Sequence, residues 1–448
     1  MRNLSVAVRA LSLAGLIPVA VSTAPAQTRD AEIEALREQI RQLDQKLRVL
    51  ERRQELKEED AAAKAKAAPA VAAGASGFSL TSADKGFQLR LRGLVQADSR
   101  FFINDTVPNN DTFLFRRVRP TFDGTFFKQF GFRVTPDFAG SSTQLIDAYV
   151  TYQYSPAFNV LIGKSKTPFD LERLVSGSNL LFLERTYPTS LAGNRDIGVQ
   201  VFGDALDGRL TYQLGWLNGV PDGASSVSDN DDDKEIVGRL FAHPFKGSDH
   251  ALKGLGIGLA ASTNTSHGTP SGYRTNAQQT FFSWRSGVSN TGDHTRIEPQ
   301  AYLYVGPWGL IGSWISSRQE LSLGSVTSEL KNTAWFLAAN YVLTGEDASY
   351  RGVTPAKNFS LADGTWGAFE IAARYAELDI DDDAFPVFAN PDTAASKVSS
   401  ATLGLNWYLN RNIKASLNYE YSDFDGGRSG TVTSRDEHAV LSRLQLNY

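Results

Sequence analysis

Alternation of apolar and polar residues with period two runs through most of the chain. In the stretch from Phe87, one face carries Phe87, Leu89, Leu91, Val95 and Ala97, and the other carries Gln88, Arg90, Arg92, Gln96 and Asp98. Near the end, Ile413, Ala415, Leu417, Tyr419 and Tyr421 alternate with Lys414, Ser416, Asn418 and Glu420. The final segment sets Val440, Leu444, Leu446 and Tyr448 against Arg443, Gln445 and Asn447. Such spacing places successive side chains on opposite faces of a strand. It predicts strands near 87–100, 112–125, 131–139, 145–154, 158–165, 196–205, 208–218, 234–243, 254–264, 296–305, 308–318, 332–343, 367–379, 398–409, 412–422 and 437–448.

A soluble sandwich and a membrane barrel both alternate, so three further features decide between them. The segments are about 10 to 12 residues long, the length of a tilted membrane-crossing strand rather than of the usual globular strand of about 5 to 6. Aromatics recur near strand ends, as in Tyr152 with Tyr154, Trp407 with Tyr408, and Tyr419 with Tyr421. Tight connections (155–157, 207–208, 306–309, 410–412) also alternate with long polar ones (219–233, 265–295, 319–331, 380–397, 423–436). Short turns at one end and long loops at the other are the habit of outer-membrane barrels. The expected fold is therefore all-β: a 16-stranded antiparallel transmembrane β-barrel over 78–448, with both termini at the periplasmic end. The connection 344–366 is long for a periplasmic turn, and 279–288 could extend a hairpin inside its loop. A barrel of this strand number leaves an aqueous channel. The C-terminal Leu444, Leu446 and Tyr448 resemble the strand signal by which such barrels are recognised for assembly.

The segment before the barrel follows other periods. Residues 1–26 have a basic start (Arg2, Arg9), an apolar run from Ala10 to Val21 and the end Ala24-Pro25-Ala26, the pattern of a secretory signal peptide. From Ile33, apolar residues fall at intervals of three and four: Ile33, Ile40 and Leu47 at a, and Leu36, Leu43 and Leu50 at d. That seam predicts a short coiled-coil stalk within 27–60. Ile at a with Leu at d leans towards two strands, so a trimer would have to be imposed by the rest of the protein. Residues 61–77, rich in alanine with Pro69 and two glycines, read as a linker.

Composition narrows the chemistry. Among 448 residues there is no cysteine, which excludes disulfides, thiolate metal sites and cysteine nucleophiles. The five histidines give no metal-binding pattern, and no G-x-S-x-G or H-E-x-x-H motif is present, so neither an enzyme, a bound metal nor a cofactor is expected. Without residues 1–26 the chain holds 43 basic and 49 acidic residues, a formal charge of -6, and nothing points to a nucleic-acid partner.

The stretch GKSKTPFDLERLVSGSNLLFLERTYPTSLAGNRDIGVQVFGD (163–204) resembles the phosphate-selective porin family, the porin O/P group. So do FRRVRPTFDGTFF (115–127), YVLTGE (341–346), GAFEIAARYAELD (367–379) and LGLNWYLN (403–410), and the resemblance runs from about Phe87 to Tyr448. It implies a homotrimer of 16-stranded barrels in the outer membrane of a Gram-negative bacterium, conducting anions. It also implies that the loop after the fifth strand folds into the lumen as a constriction, here at about 166–195, with Arg173 and Arg185 contributing to a central anion site.

A pore selects anions by placing positive charge where it is narrow, and phosphate is best held by Lys and by the planar fork of Arg. Lys164 at the end of the entering strand, with Lys166, Arg173, Arg185 and Arg195 on the loop, form the expected anion-binding constriction. Arg90, Arg92, Arg117, Arg119 and Arg133 form an expected ladder along the lumen wall. Alternatively these wall arginines only brace the barrel against Asp98, Asp123, Glu172 and Glu184. Ser178 and Asn179 stand where extra lysine would mark strong phosphate selectivity, and the acidic runs 229–233, 379–383 and 423–425 oppose anion recruitment. The expected activity is passive diffusion of small anions, phosphate or pyrophosphate. The alternative is a weakly selective porin acting mainly as a structural anchor, its coil reaching peptidoglycan or a periplasmic partner and its rim contacting lipid and lipopolysaccharide.

Overall fold

Apolar side chains on these strands face out and polar ones face in. In the computed structural model, which describes residues 26–103, 110–229, 231–427 and 436–448, Leu337, Leu403, Leu417 and Leu444 are exposed while Asn332, Asn406, Asn418 and Gln445 are buried. This inversion of the globular pattern follows when one face of every strand closes on a shared interior.

Helix α1 spans Ala26–Ala67, and the strands follow: β1 (Ala70–Gly74), β2 (Gly77–Thr81), β3 (Gln88–Phe102), β4 (Thr112–Phe126), β5 (Phe130–Asp137), β6 (Gln144–Ser155) and β7 (Phe158–Lys166). After two single-turn helices, α2 (Leu171–Leu174) and α3 (Pro188–Leu191), come β8 (Arg195–Ala205), β9 (Leu210–Leu217), β10 (Glu235–Ala242) and β11 (Leu255–Gly268). A small hairpin, β12 (Tyr273–Arg274) and β13 (Thr280–Phe282), precedes β14 (Ser289–Val305), β15 (Trp308–Leu323), β16 (Val326–Val342), β17 (Ala368–Asp379), β18 (Lys397–Tyr408), β19 (Ile413–Asp425) and β20 (Asp436–Asn447).

Each strand from β3 to β11 and from β14 to β20 pairs antiparallel with its successor, β11 pairs β14, and β20 closes on β3 through Asn447↔Leu94 to Ala439↔Phe102. That is the expected 16-strand barrel. At the seam, Gly93 exchanges backbone hydrogen bonds of 2.9 and 3.0 Å with Tyr448. A side chain at Gly93 would run into the Tyr448 ring, so only glycine lets the terminal aromatic lie there.

Several expectations change. The Ala-rich stretch is not an unstructured linker. Residues 61–67 continue α1, as alanine's helix propensity favours. Then β1 and β2 form a hairpin whose second strand pairs with the start of β3 (Phe78↔Leu91 to Thr81↔Gln88). Residues 319–331 are not a loop: β15 and β16 extend through them to a tight turn at Leu323↔Val326. The 265–295 loop is shortened from both ends, and β12–β13 sits inside it. The signal peptide lies outside the described residues apart from Ala26, and so does most of the 423–436 loop.

The helix and the barrel are separate compact units, 1–68 and 69–448. Along α1 the a and d side chains Ile33, Leu36, Ile40, Leu43, Leu47 and Leu50 are all exposed. Ion pairs such as Arg48–Asp44 (3.0 Å) and Lys64–Asp60 (2.8 Å) lie between successive turns.

The two sides of the barrel differ in height. Strands β14–β16 have 16 or 17 residues, whereas β5, β9 and β10 have 8. The apolar core inside the barrel joins the 167–194 loop (Phe169, Leu171, Phe182, Tyr187, Leu191) to the taller side (Ile315, Phe336, Ala376) and to the small hairpin (Tyr273, Phe281, Phe282).

Candidate functional site

The loop between β7 and β8 crosses the interior and is tied to the wall by side chains donating to its backbone carbonyls. Lys414 Nζ donates to Leu180 O (2.8 Å), Asn406 Nδ2 to Leu181 O (2.8 Å), Arg443 Nη1 to Leu183 O (2.6 Å) and Arg374 Nη1 to Glu184 O (3.0 Å). Gln96 and Gln445 donate to Gly177 O and Ser178 O at 2.9 and 3.0 Å. Two other segments brace it. Tyr350, from the long 343–367 connection, donates to Leu171 O at 2.6 Å. From the loop after β9, Asn194 N donates to Ala224 O (2.8 Å), Gly223 N to Ala192 O (3.0 Å) and Ser226 N to Arg195 O (2.8 Å). That loop is itself anchored by Asp222, which accepts from Arg296 Nε (2.9 Å) and Ser317 Oγ (2.8 Å). The polar wall residues that face inward by strand alternation, on β17–β20 and at Gln96 of β3, thus hold the loop, and open space remains beside β3–β9.

That space holds two cavities, one on each side of the loop. The first, about 430 Å³ towards Gly93 and the C-terminal Asn447, is lined by Arg92, Arg119, Arg133, Tyr149, Lys166 and Arg195 among others. The second, about 490 Å³ towards the long loops, is lined by Arg116, Arg117, Arg119, Arg173, Arg185 and Arg195. Arg119, Ile146 and Arg195 belong to both linings, so two guanidinium groups stand where the cavities adjoin.

The cations of this passage are held in two different ways. Lys166 Nζ donates to the carbonyls of Leu174 (3.1 Å) and Val175 (2.9 Å). Arg185 donates through Nε to Glu172 O and through Nη2 to Val175 O, both at 2.8 Å. Arg173 donates through Nη2 to Thr189 O at 2.8 Å, and its backbone N–H is capped by Asp170. Carbonyls orient a cation without placing an opposite charge against it. Burial pulls the Arg173 guanidinium down to about 9, with Arg185 adding repulsion, and burial pulls Arg185 to about 10; both stay protonated at neutral pH. Arg119 and Arg195 instead pair with carboxylates, Arg119 Nε to Asp137 (2.7 Å) and Arg195 Nε to Asp147 (2.9 Å).

The remaining wall arginines cluster above and below. Arg90, Arg92 and Arg133 all reach Asp123 Oδ2, at 3.0, 2.5 and 3.5 Å, so three guanidinium groups share one carboxylate. Towards the long loops, Glu184 lies between Arg100 (3.6 Å), Arg116 (2.5 Å), Arg117 (3.8 Å) and Arg443 (3.3 Å). Burial would raise the Glu184 carboxyl, but the surrounding guanidinium groups outweigh it and hold the group below its ordinary range. Bracing and surplus charge therefore coexist: Asp123 and Glu184 are each outnumbered by the cations that share them.

Of the sequence-predicted residues, Lys166, Arg173, Arg185, Arg195, Arg92, Arg117, Arg119 and Arg133 line these cavities. Arg90 joins them through Asp123. Lys164 does not. It lies in register with Ala148 and Ile197, on the face of Ile162 and Val150, which are 59 % and 53 % exposed. One step in strand phase turns it away from the lumen. Sequence reading missed Arg116, Arg443 and Arg274, the last carried into the second cavity by the small hairpin.

The pattern of the family described as phosphate-selective porin O and P matches residues 87–448. Porin O of Pseudomonas aeruginosa is 25 % identical over 383 residues, covering 77 % of this chain and 84 % of that protein. In structure the chain is similar to the outer membrane channel DcaP of Acinetobacter baumannii (TM-score 0.55, 14 % identity, 83 % of this chain and all of that one). It is also similar to the trimer form of OmpT, an outer membrane protein of Vibrio cholerae (TM-score 0.52, 11 % identity, 81 % of this chain and all of that one).

Proposed function

The chain belongs to the family of phosphate-selective porins O and P, and on that premise we propose that it conducts small anions, phosphate or pyrophosphate, past the cations of its inward loop. At the coarser level it is a passive diffusion channel of the Gram-negative outer membrane and not an enzyme.

The observation that supports anion selectivity is the way Arg173 and Arg185 are held: by neutral carbonyls, next to Arg119 and Arg195 in the same lining. Positive charge left uncancelled where an aqueous path is narrow attracts anions, and the outnumbered carboxylates on either side keep any one site from holding them too tightly. The working unit in this reading is a homotrimer, with α1 as a coiled-coil stalk available to a periplasmic or peptidoglycan partner. The exposed a and d residues favour the stalk. The outer rim meets lipid and lipopolysaccharide, and Leu444, Leu446 and Tyr448 serve as the assembly signal.

The test is current block. In planar bilayers, millimolar phosphate should reduce the chloride current. Arg185→Gln retains an amide donor for the loop carbonyls but removes the charge. It should raise the half-blocking phosphate concentration about tenfold, the worth of one charge-assisted hydrogen bond. Unchanged block in that variant would remove Arg185 from the anion path.

A further inference from the structure

The root of the inward loop is clipped to β14 by two carboxyl groups. Gln300 Nε2 donates to Phe169 O at 2.6 Å, and Leu171 N reaches Glu298 Oε1 at 3.5 Å. Two successive inward positions of one strand thus hold the backbone on either side of Asp170. Between them the Asp170 and Glu298 carboxyls are hydrogen-bond partners of each other. Both residues are fully buried. The cations that act on Asp170, Arg173 and Arg185, point their donors at the carbonyls of Thr189, Glu172 and Val175 instead.

The remaining bonds leave one place for a proton. Asp170 Oδ2 accepts from Arg173 N, at the N-cap of α2. Asp170 Oδ1 receives no N–H or O–H from a neighbouring donor. Glu298 Oε1 takes the Leu171 N–H, and Glu298 Oε2 takes Gln300 Nε2 at 3.0 Å. Ionised carboxylates are acceptors only, so two of them hydrogen-bond each other only when one carries a proton. Without it, two like charges in a dry site repel strongly.

We propose that Asp170 and Glu298 share one proton that latches the loop root to β14, which makes Glu298 a positioning residue and the width of the pore dependent on pH. Loss of the proton sets the two carboxylates against each other. The root then swings off β14 into the open space beside β3–β9. Arg173, whose N–H Asp170 caps, moves with it and narrows the path. Burial raises the Asp170 carboxyl against the pull of Arg173, so the proton is held below that raised value and lost as pH rises through it. The other charged and titratable groups around the pair are Glu172 and Arg185 on the loop, Arg239 on β10, and Tyr350 on the 343–367 connection. The inference needs the water-filled pore and not its anion selectivity.

The experiment follows single-channel chloride conductance of the full-length protein in planar bilayers from about pH 6 to about pH 9, which spans the range open to a fully buried carboxyl. The wild type should lose conductance on the alkaline side along a one-proton titration. Glu298→Gln and Asp170→Asn each replace the shared proton by an amide hydrogen that does not titrate. Both should therefore keep the acid-side conductance across the scan. Arg173, pulled to about 9 by burial, titrates at the top of the scan in all three proteins, so the readout is the difference between them. A wild-type conductance that is flat in pH would overturn the latch. So would an alkaline loss that both variants retain with the wild-type midpoint.

Discussion

Arg443 shows what a lumen arginine does besides attracting solutes. It is 2 % exposed by side chain and makes a two-point ion pair with Asp98 at 2.7 Å while holding Leu183 O at 2.6 Å. Removing one partner of a buried pair strands the other charge, at a cost of about 3–5 kcal/mol. Arg443→Met keeps much of the volume and should lower the urea midpoint of barrel unfolding in detergent clearly, with Arg443→Lys intermediate. An unchanged midpoint would mean that Asp98 is already satisfied without it. At this scale the sequence was only partly legible. Arg173 and Arg185, which line the second cavity, are named by their motif. Arg116 and Arg443 were missed because their importance comes from Glu184, which reaches them only once the loop has crossed the lumen. Lys164 and Lys166 share the outer strand face of Ile162, and only Lys166 reaches the interior, because β7 ends there and its Nζ turns to Leu174 O and Val175 O.

At the scale of elements, the strands were legible because their alternation is long and regular. Misreadings fell where composition hid the pattern. The run 319–331 mixes Ser, Glu and Thr with Gly324 and turns Leu321 and Leu330 inward, against the apolar-out pattern, yet it continues the β15–β16 ladder to its turn. The connection 343–367 is long for a turn because part of it reaches the inward loop, through Tyr350. Helix α1 outran its heptads because alanine and lysine sustain helix without a seam. The boundary at residue 68 separates two independent units, and the hairpin β1–β2 belongs to the barrel. Deleting 27–68 should therefore leave single-channel conductance unchanged, measured in planar bilayers. Deleting through 77 would remove β1 and the first residue of β2. Loss of channels from the shorter deletion would show that the helix is needed for assembly.

For the whole molecule, a mean hydropathy of -0.26 describes an inside-out distribution rather than a water-soluble surface. Half of each strand faces outward and the other half lines the interior, so the average is low although the outer band is apolar. The net charge of -6 expected after loss of residues 1–26 is equally uninformative about the pore. Acidic residues accumulate in outer loops, while the passage is lined by Arg119, Arg195, Lys166, Arg173 and Arg185. In the proposed reading selectivity is set by these few positions, because charge in a narrow low-dielectric passage outweighs screened charge at the mouth. The most direct measurement is the zero-current potential of the purified channel in a KCl gradient across a planar bilayer. The account predicts a potential of the sign that marks chloride as the more permeant ion, shrinking towards zero when phosphate occupies the passage. A potential of the opposite sign, favouring potassium and indifferent to phosphate, would contradict it.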